Sequence, residues 1–406
     1  MIRMADATHL VVLGNGFDID CGLPTQYGDF LDFISLLRDL EGVADLSLRV
    51  GSIDAWCSES GKNRVREGLR GLLKDAFCTS ADALMEWRVL TGKNPWIDYF
   101  THVRSRRMAT IGENWVDFES EIAEVVAELE SSMLHEPGAP LTFEDSVRFV
   151  QGRRYDKLMD MLLVLGQRYG SVVDREIGFS VRRYDASYAD VKKRLCDGLN
   201  CVRLALQKYL RDFVEKASPH VTSGAKKLCD ELVGATHRYV VSFNYTHTFE
   251  RVFSKRHPAE RGSVRYCYLH GEVLGPSSEC NMVLGINEYR TGKKASEHLE
   301  FIEFRKFFQR IYHANDTKYL LWAKEFEGRA KRGEELRMSI YGHSLAVTDK
   351  DVLSRLILCA GMKTTSYYHS REALAQQIAN AVALIGADEV IARTGDDAKS
   401  LEFKRQ

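Results

Sequence analysis

The sequence predicts an α/β protein in which a parallel sheet flanked by helices is divided by a large helical insertion. Strand-like and helix-like segments alternate towards both ends of the chain, whereas the middle shows helical periodicity and no convincing strand. We therefore assign residues 1–50 and 235–386 to one discontinuous α/β unit and residues 51–234 to the insertion. Residues 387–406 are assigned to a polar, loosely held C-terminal tail.

The elements of the α/β unit follow from short apolar runs and from amphipathic stretches. His9–Leu13 is typical of a buried parallel strand, and a helix follows Pro24. Further strands are predicted at Arg238–Phe243, Val264–Leu269, Leu336–Tyr341 and Lys363–Tyr368, with a weaker one at Asn281–Ile286. Helices are predicted at Thr246–Phe253, Glu297–Arg329, Asp349–Leu358 and Arg371–Leu384. This alternation is typical of a split Rossmann-like sheet.

The insertion carries an apolar seam with helical spacing. The seam consists of Leu195, Leu199, Val202, Leu206, Tyr209 and Phe213. It favours an ordinary core helix of an inserted bundle, with self-association of the chain as a homo-oligomer as the alternative.

Charge, cysteine and hydropathy patterns exclude several classes of protein. Lysine and arginine total 56 against 57 for aspartate and glutamate, so the net charge of -1 does not favour binding of the whole chain to nucleic acid. The nine cysteines are never spaced as a CxxC pair, which argues against a zinc ribbon, and we predict no metal. No apolar run reaches the roughly 18 residues of a membrane helix, and no secretion signal is seen. We expect a cytoplasmic protein that does not enter a membrane.

Four short sites each follow a predicted strand, where open α/β sheets bind ligands, so we expect the sites to converge. Gly14 and Gly16 allow the backbone to approach a pyrophosphate, although an isolated Gly-x-Gly fits an ordinary tight turn equally well. Asp18, in the same segment, suits either a ribose hydroxyl or a capping role.

The other three sites carry an amide, an imidazole and a loop of small residues. Asn244 offers both a donor and an acceptor to a water or a ribose hydroxyl, and its alternative role is a helix cap. His270 can accept a proton near neutral pH, unless it is structural. The segment Gly342–Leu345 leaves room for a ligand, or it is a plain loop between a strand and a helix.

These residues resemble a known family. The order NGFD, GLPTQYGDF, SFNYT, LHG, LGINE and YGHSL followed by an aspartate is similar to that of the bacteriophage abortive infection family AbiH. The resemblance extends from Leu10 to about Tyr368 and is strongest outside the helical middle. It implies an anti-phage effector that stops infection by a toxic activity.

The same landmarks more distantly resemble a sirtuin-type NAD-binding core. The resemblance implies that NAD is contacted by Gly14, Asn15, Gly16, Phe17, Asp18, Gly22, Pro24, Gly271, Gly342, His343 and Ser344. It also implies that Asn244 lies beside the nicotinamide ribose and that His270 is the catalytic base. Thr246 replaces a sirtuin aspartate, and the four zinc cysteines are missing. Without the module that shapes an acyl-peptide groove, we do not expect protein deacylation.

NAD hydrolysis is the activity that these expectations favour. The nicotinamide leaving group is already cationic, so its departure needs no strong general acid, only a positioned water and a base. We therefore predict an NAD hydrolase in which Asn244 positions water and His270 accepts its proton. Its trigger is expected to be a phage protein, a partner ATPase or assembly into an oligomer.

Two alternatives remain. A nuclease or nucleotide-processing effector would use the basic clusters, which comprise Arg104, Arg106, Arg107, Arg182, Arg183, Lys192, Lys193 and Arg194. Asp117 and Glu119 do not support it, because residues two apart point away from each other on a helix. The other alternative is a non-catalytic nucleotide sensor, which would bind NAD without turnover.

Overall fold

A sheet of six parallel strands lies at the centre of the molecule and is flanked by helices. The computed structural model describes residues 7–59, 62–112, 116–133, 157, 158, 160, 161, 164, 173, 174, 179, 180, 188–273, 279–286, 301–395 and 399–406. Its strands are β1 (Ala7–Leu13), β2 (Val173–Asp174), β3 (Phe179–Ser180), β4 (His237–Ser242), β5 (Val264–Tyr268), β6 (Glu335–Tyr341), β7 (Met362–Tyr368) and β8 (Leu401–Arg405). The sheet order is β5-β4-β1-β6-β7-β8, whereas β2 and β3 form a separate antiparallel pair.

The order of the strands is that of a doubly wound, Rossmann-like sheet. If only the six strands of the sheet are counted along the chain, their order reads 3-2-1-4-5-6. The winding reverses between β1 and β6, which pair along their whole length. In such sheets, ligands bind outside the carboxyl ends of the strands at this reversal. The predicted α/β class with a parallel sheet is confirmed.

Strand β1 lies inside the sheet and is buried on both faces, as its continuous apolar run predicts. Leu10 and Val12 contribute to a core cluster on one face of the sheet. Val11 and Leu13 contribute to the cluster on the opposite face. Because successive side chains of a strand alternate between faces, one strand stabilises both layers of helices.

The α-helices connect the strands of the sheet and also build the helical part of the molecule that lies beside it. Among the described residues they are Gly16–Asp20, Tyr27–Glu41, Leu46–Cys57, Asn63–Glu67, Arg70–Phe77, Met85–Thr91, Pro95–Ile111, Phe118–Met133, Tyr188–Tyr209, Ser223–Val233, Thr248–Arg256, Lys306–Tyr312, Lys318–Lys331, Lys350–Ile357, Arg371–Ile385 and Ala387–Thr394. A π-helical turn, Leu210–Val214, continues the helix Tyr188–Tyr209. Within the described part of the chain, no helix has both the length and the apolar composition needed to cross a membrane.

A helical core lies beside the sheet and contains the apolar seam of the insertion. The six seam residues are between 0% and 3% exposed. The ring centroid of Phe33 lies 4.8 Å from that of Tyr209 and 5.2 Å from that of Phe213. The seam is therefore covered by the chain itself. Self-association through this seam, which the sequence left open, does not fit the structure.

The boundary between the two units differs from the predicted one. The helix Tyr27–Glu41, which the sequence assigned to the sheet unit, packs into the helical core. Conversely, the helix Ser223–Val233, assigned to the insertion, packs on the sheet against Val11 and Val240. An amphipathic pattern shows that one face of a helix is buried, but not which partner buries it.

The predicted C-terminal tail is part of the fold. Residues 387–406 include the helix Ala387–Thr394 and the edge strand β8. Strand β8 pairs in parallel with β7, with Phe403 opposite Ser366. The expectation of a loosely held tail is therefore wrong, because a polar sequence can complete the edge of a sheet through its backbone hydrogen bonds.

Two predicted elements are also different in the structure. Asn281–Ile286 is not a strand; Leu284 bonds through both its N–H and its carbonyl oxygen to the side chain of Gln309, at 3.0 and 3.1 Å. The described part of the predicted helix 297–329 is interrupted between Tyr312 and Lys318. There Ala314 adopts a left-handed backbone with φ of 52°. Residues 297–300 lie outside the described ranges.

Candidate active site

The four predicted sites lie at one edge of the sheet. The strands β5, β4, β1 and β6 are consecutive neighbours, and their carboxyl ends point the same way. The loops that follow them carry His270, Asn244, Gly14 and His343. This is the placement that the alternating sequence predicts, and the following contacts join the four loops.

One carboxylate bridges two imidazoles from different loops. The His270 Nε2 atom lies 3.2 Å from Asp349 Oδ1, and His343 Nε2 lies 3.5 Å from Asp349 Oδ2. The ring of Phe243, from the loop after β4, contacts both histidine rings at centroid distances of 5.3 and 4.5 Å. All these side chains are buried. We call His270, His343 and Asp349 the histidine–aspartate cluster.

The tautomer of His343 follows from its local backbone. Its Nδ1 accepts a hydrogen bond from the Leu345 N–H at 2.9 Å, so a neutral ring carries its proton on Nε2, which faces Asp349. Leu345 itself has a positive φ of 59°. A non-glycine residue in this conformation is strained, and such strain is concentrated at functional sites.

A lysine connects the cluster to a second carboxylate. The ammonium of Lys306 is 1% exposed and lies 3.2 Å from Asp349 Oδ1 and 2.8 Å from Glu119 Oε2. Burial alone would raise the pKa of Asp349, but Lys306 and His270 hold it well below its usual range. Burial raises the pKa of Glu119 to about 7, against the attraction of Lys306. Lys306 therefore supplies a positive charge to both buried carboxylates.

His270 has the properties of a neutral base. Burial and, to a smaller extent, the charge of Lys306 lower its pKa to about 4, although Asp349 acts in the opposite direction. At neutral pH the ring is therefore uncharged. Because Asp349 is ionised, the Nε2–H of His270 donates to it, which leaves the lone pair on Nδ1 available to accept a proton.

Beside the cluster, two buried oxygen atoms have no hydrogen-bond partner: Asp18 Oδ1 and Asn244 Oδ1. The other oxygen of Asp18 accepts a hydrogen bond from the Thr246 hydroxyl, which links the first loop to the loop after β4. Burial raises the pKa of Asp18 to about 6, although hydrogen bonds from Thr246 and Thr248 oppose this. Native proteins leave few buried acceptors unpaired, so the two oxygens are suited to a ligand that donates hydrogen bonds.

The two glycines of the first loop contact another loop of the protein. Their N–H groups donate to the carbonyl oxygens of Tyr341, at 3.0 Å, and Gly342, at 2.8 Å. A Cβ atom on Gly14 would lie 2.6 Å from the Gly342 oxygen, and one on Gly16 would lie 2.7 Å from the Gly342 Cα. The glycines thus allow two loops to pack closely. In this form their N–H groups are not free for a phosphate, and that role stays a prediction.

The remaining residues of the first loop have mainly structural contacts. The Asn15 side chain accepts from the Thr25 hydroxyl at 2.6 Å and donates to the Thr25 carbonyl at 3.1 Å. The Phe17 ring packs in the core below the loop. Gly22 is exposed with φ of 72°, and the carbonyl of buried Pro24 accepts from the Tyr209 hydroxyl at 2.9 Å. A contact of these residues with NAD stays a prediction.

Gly271 and Ser344 shape the loops around the cluster. Gly271 has φ of 80°, and a Cβ atom there would lie 2.2 Å from the Asn281 carbonyl oxygen. Glycine is thus required directly after His270. Ser344 is exposed, and its carbonyl accepts from the Asn380 side chain at 2.8 Å.

Sequence reasoning missed Glu119 and Lys306. Asp117 and Glu119 do point apart, as predicted: Asp117 caps the helix Phe118–Met133 by accepting from Ser120 Oγ at 2.7 Å. Glu119, however, extends into the cluster. Lys306 lies in a charged stretch of the sequence that contains no motif. Asp349, in contrast, is signalled by the sequence, as the aspartate that follows YGHSL.

Across the described residues, no three His, Cys, Asp or Glu side chains are grouped so as to hold a metal ion.

The first basic cluster is neutralised by carboxylates. Arg104 pairs with Asp32, Arg106 with Asp160, and Arg107 lies 3.8 Å from Glu121. In the second cluster, Lys193 pairs with Asp197 at 2.6 Å and Lys192 with Glu303 at 3.0 Å, while Arg182 and Arg183 lie outside the described residues. These pairings give no support to a continuous basic surface for nucleic acid.

Comparison with known proteins agrees with the motifs at this edge of the sheet. No curated protein and no solved structure matches the chain. The family model described as bacteriophage abortive infection AbiH matches residues 10–368, which contain the second half of β1, the loops of the site and the cluster. Since this match covers most of the sequence, the chain belongs to the bacteriophage abortive infection AbiH family.

Proposed function

We propose that the chain is an abortive-infection effector that binds NAD at the carboxyl edge of its sheet and hydrolyses the nicotinamide–ribose bond. The observation that carries the proposal is that a neutral imidazole, His270, and a buried carboxamide with an unpaired oxygen, Asn244, follow neighbouring strands at the carboxyl edge of a sheet with Rossmann strand order. The AbiH family supports the antiviral context. Loss of NAD would be the toxic output.

The proposed reaction uses water as the nucleophile. The oxygen of a water held by the Asn244 carboxamide forms a bond with the ribose anomeric carbon, and the bond from that carbon to the nicotinamide nitrogen breaks. Nicotinamide leaves as a neutral molecule, so no acid is needed. The proton of the water goes to Nδ1 of His270, while Asp349 holds the ring through Nε2 and stabilises the imidazolium. ADP-ribose is the other product.

The closed form of the site suits a resting state. His270 and Asn244 are each 6% exposed, and the glycine turn is bonded to the loop after β6. A dinucleotide therefore enters only after these loops separate. The open arrangement of the loops would be favoured by a partner that binds it more tightly than the closed one. This partner would be a phage-derived trigger, an ATPase or further copies of the chain in a homo-oligomer. Such a gate keeps a toxic activity off in an uninfected cell.

The test is release of nicotinamide from NAD by the purified protein, with and without a phage lysate. We expect the lysate to switch on release, and His270→Ala and Asn244→Ala to slow it by about 100-fold or more. The matched controls are His369→Ala and Asn200→Ala, at exposed positions, which should behave as the parent.

Each alternative gives a different result. If folded His270→Ala depletes NAD as fast as the parent, the mechanism is wrong. Tight NAD binding without nicotinamide release would indicate a nucleotide sensor. Cleavage of added nucleic acid in the presence of magnesium, with NAD left intact, would indicate a nuclease.

A further inference from the structure

A cavity of about 630 Å³ lies against the edge strand β5 and shares no lining residue with the histidine–aspartate cluster. Its walls are Tyr266, Tyr268, Glu272, Asn281 and the segment 314–318, which separates two helices. Cavities that hold small molecules measure about 300–1,000 Å³. We call it the β5 cavity, and its size is that of a binding site for a small molecule.

Asn315 brings an unpaired carboxamide to this cavity. Its side chain is buried, with 8% of the residue exposed, and neither its Oδ1 nor its Nδ2 has a hydrogen-bond partner. The backbone around it is fixed, because the Asn315 N–H donates to the Arg310 carbonyl at 2.9 Å. The Cys267 thiol also donates to the Asp316 carbonyl, at 3.7 Å, and ties the segment to β5. A buried amide with both groups unpaired is destabilising unless a ligand completes it.

Two tyrosines form a flat wall of the cavity. Tyr266 and Tyr268 are two residues apart on β5 and so share one face of the strand. Their rings are stacked, with centroids 6.2 Å apart and an angle of 13° between the planes. Burial raises the pKa of both phenols, so both remain neutral. Neutral aromatic rings of this kind stack on planar ligands, nucleobases in particular.

The charges in the β5 cavity disfavour a phosphate. The ammonium of Lys318 is already paired with Asp316 at 2.7 Å. Glu272 adds a second carboxylate, whose Oε2 lies 2.8 Å from His247 Nε2. The side chain of Glu272 is 33% exposed, and a carboxylate at such a place suits the hydroxyls of a ribose. The walls thus favour an uncharged nucleoside over a nucleotide phosphate.

We propose that the β5 cavity binds an adenine nucleoside whose base pairs with the Asn315 carboxamide and stacks beside Tyr266 and Tyr268. Adenine presents an amino donor next to a ring-nitrogen acceptor, which is the complement of an asparagine side chain. The ribose then lies towards Glu272. The proposal is independent of NAD cleavage at His270, because the two sites share no residue.

Calorimetric titration of the full-length protein with adenosine tests the site. We expect adenosine to bind, and purine riboside, which has hydrogen in place of the amino group, to bind at least about tenfold more weakly. Asn315→Leu should also weaken adenosine binding about tenfold or more. The same variant should melt at or above the temperature of the parent, because an apolar side chain of similar size removes an unpaired buried amide.

Further variants make the result decisive. Asn315→Asp replaces the donor with an acceptor and should weaken adenosine as much as Asn315→Leu does. The same change to leucine at exposed Asn200 should leave binding unchanged. His270→Ala should also bind adenosine as the parent does, so failure of the nucleoside site and of NAD cleavage can be told apart. The proposal is overturned if the parent does not bind adenosine, if purine riboside binds equally well, or if Asn315→Leu binds normally or fails to fold.

Discussion

Asp349 acts on both histidines through its charge as well as through its position. Each of its oxygens faces one imidazole, and Lys306 lies on the side of Oδ1. An ionised carboxylate fixes which nitrogen of each ring carries the proton, so His270 and His343 become donors towards Asp349. The two rings, which come from loops after different strands, thereby have one fixed arrangement before any ligand arrives. Preorganisation of this kind is what a catalytic base requires.

Asp18 makes the stability of the fold depend on pH. Its pKa of about 6 is raised above its ordinary value, so the unfolded chain releases this proton first as the pH rises. The contribution of protonated Asp18 to the free energy of unfolding is therefore complete below about pH 4 and is lost as the pH rises through about 6. Asp18→Asn removes this dependence. Between pH 4 and pH 7, we expect the parent to lose on the order of 3 kcal/mol relative to the variant.

The measurement is the free energy of unfolding in urea at pH 4, 5, 6 and 7. Buried histidines such as His9, whose pKa is lowered to about 4, also affect the pH profile, so the difference between the parent and the variant is the quantity to compare. Exposed Asp388→Asn is the control and should follow the parent at every pH. Parallel curves for the parent and Asp18→Asn would contradict a buried carboxyl with a raised pKa.

At the scale of elements, the sequence predicts those strands that are buried on both faces. His9–Leu13 is a short apolar run and Arg238–Phe243 a β-rich one, and both become inner strands of the sheet. Strand β8 was missed because its residues, LEFKR, have the composition of an exposed tail. It lies at the edge of the sheet and pairs with β7 on one side. Asn281–Ile286 was wrongly predicted as a strand because apolar composition does not show where the backbone hydrogen bonds go.

The contact between the loops after β1 and β6 gives a prediction at the same scale. Gly342 has φ of 68°, and a Cβ atom there would lie 2.1 Å from the backbone nitrogen of Phe17. Gly342→Ala therefore introduces both a strained backbone and a clash with a neighbouring loop. We expect it to destabilise the fold by about 3 kcal/mol or more, with about 1–2 kcal/mol from the backbone and the rest from packing.

Gly333→Ala separates these two effects. Gly333 has φ of 76°, and a Cβ atom there would meet nothing within 4 Å. This variant should show only the backbone cost, about 1–2 kcal/mol. Both free energies are measured by urea unfolding. If the two variants lose the same stability, the loops after β1 and β6 are not in close contact.

At the scale of the whole molecule, the candidate site joins the helical core to the sheet. Glu119 comes from the helix Phe118–Met133, Lys306 from the helix Lys306–Tyr312, and Asp349 from the end of the loop after β6. The convergence of His270, Asn244 and His343 could be predicted, because each follows a parallel strand of one sheet. The meeting of Glu119 with Lys306 could not, because no periodic pattern records how the inserted helices pack on the sheet edge.

This junction predicts strong coupling between Lys306 and its carboxylates. Lys306→Met leaves Asp349 and Glu119 buried without their cation, and we expect a loss of about 3–5 kcal/mol in the free energy of unfolding at pH 7. Without Lys306, Glu119 is protonated, because its pKa is about 7 even beside the lysine, so the unpaired charge is that of Asp349. Adding Asp349→Asn removes this charge and should restore part of that loss. Lys193→Met, which breaks a pair on an exposed helix face, should leave the free energy of unfolding nearly unchanged. If Lys306→Met costs no more than Lys193→Met, then the charges at the junction are solvated, and the helical core does not close this edge of the sheet.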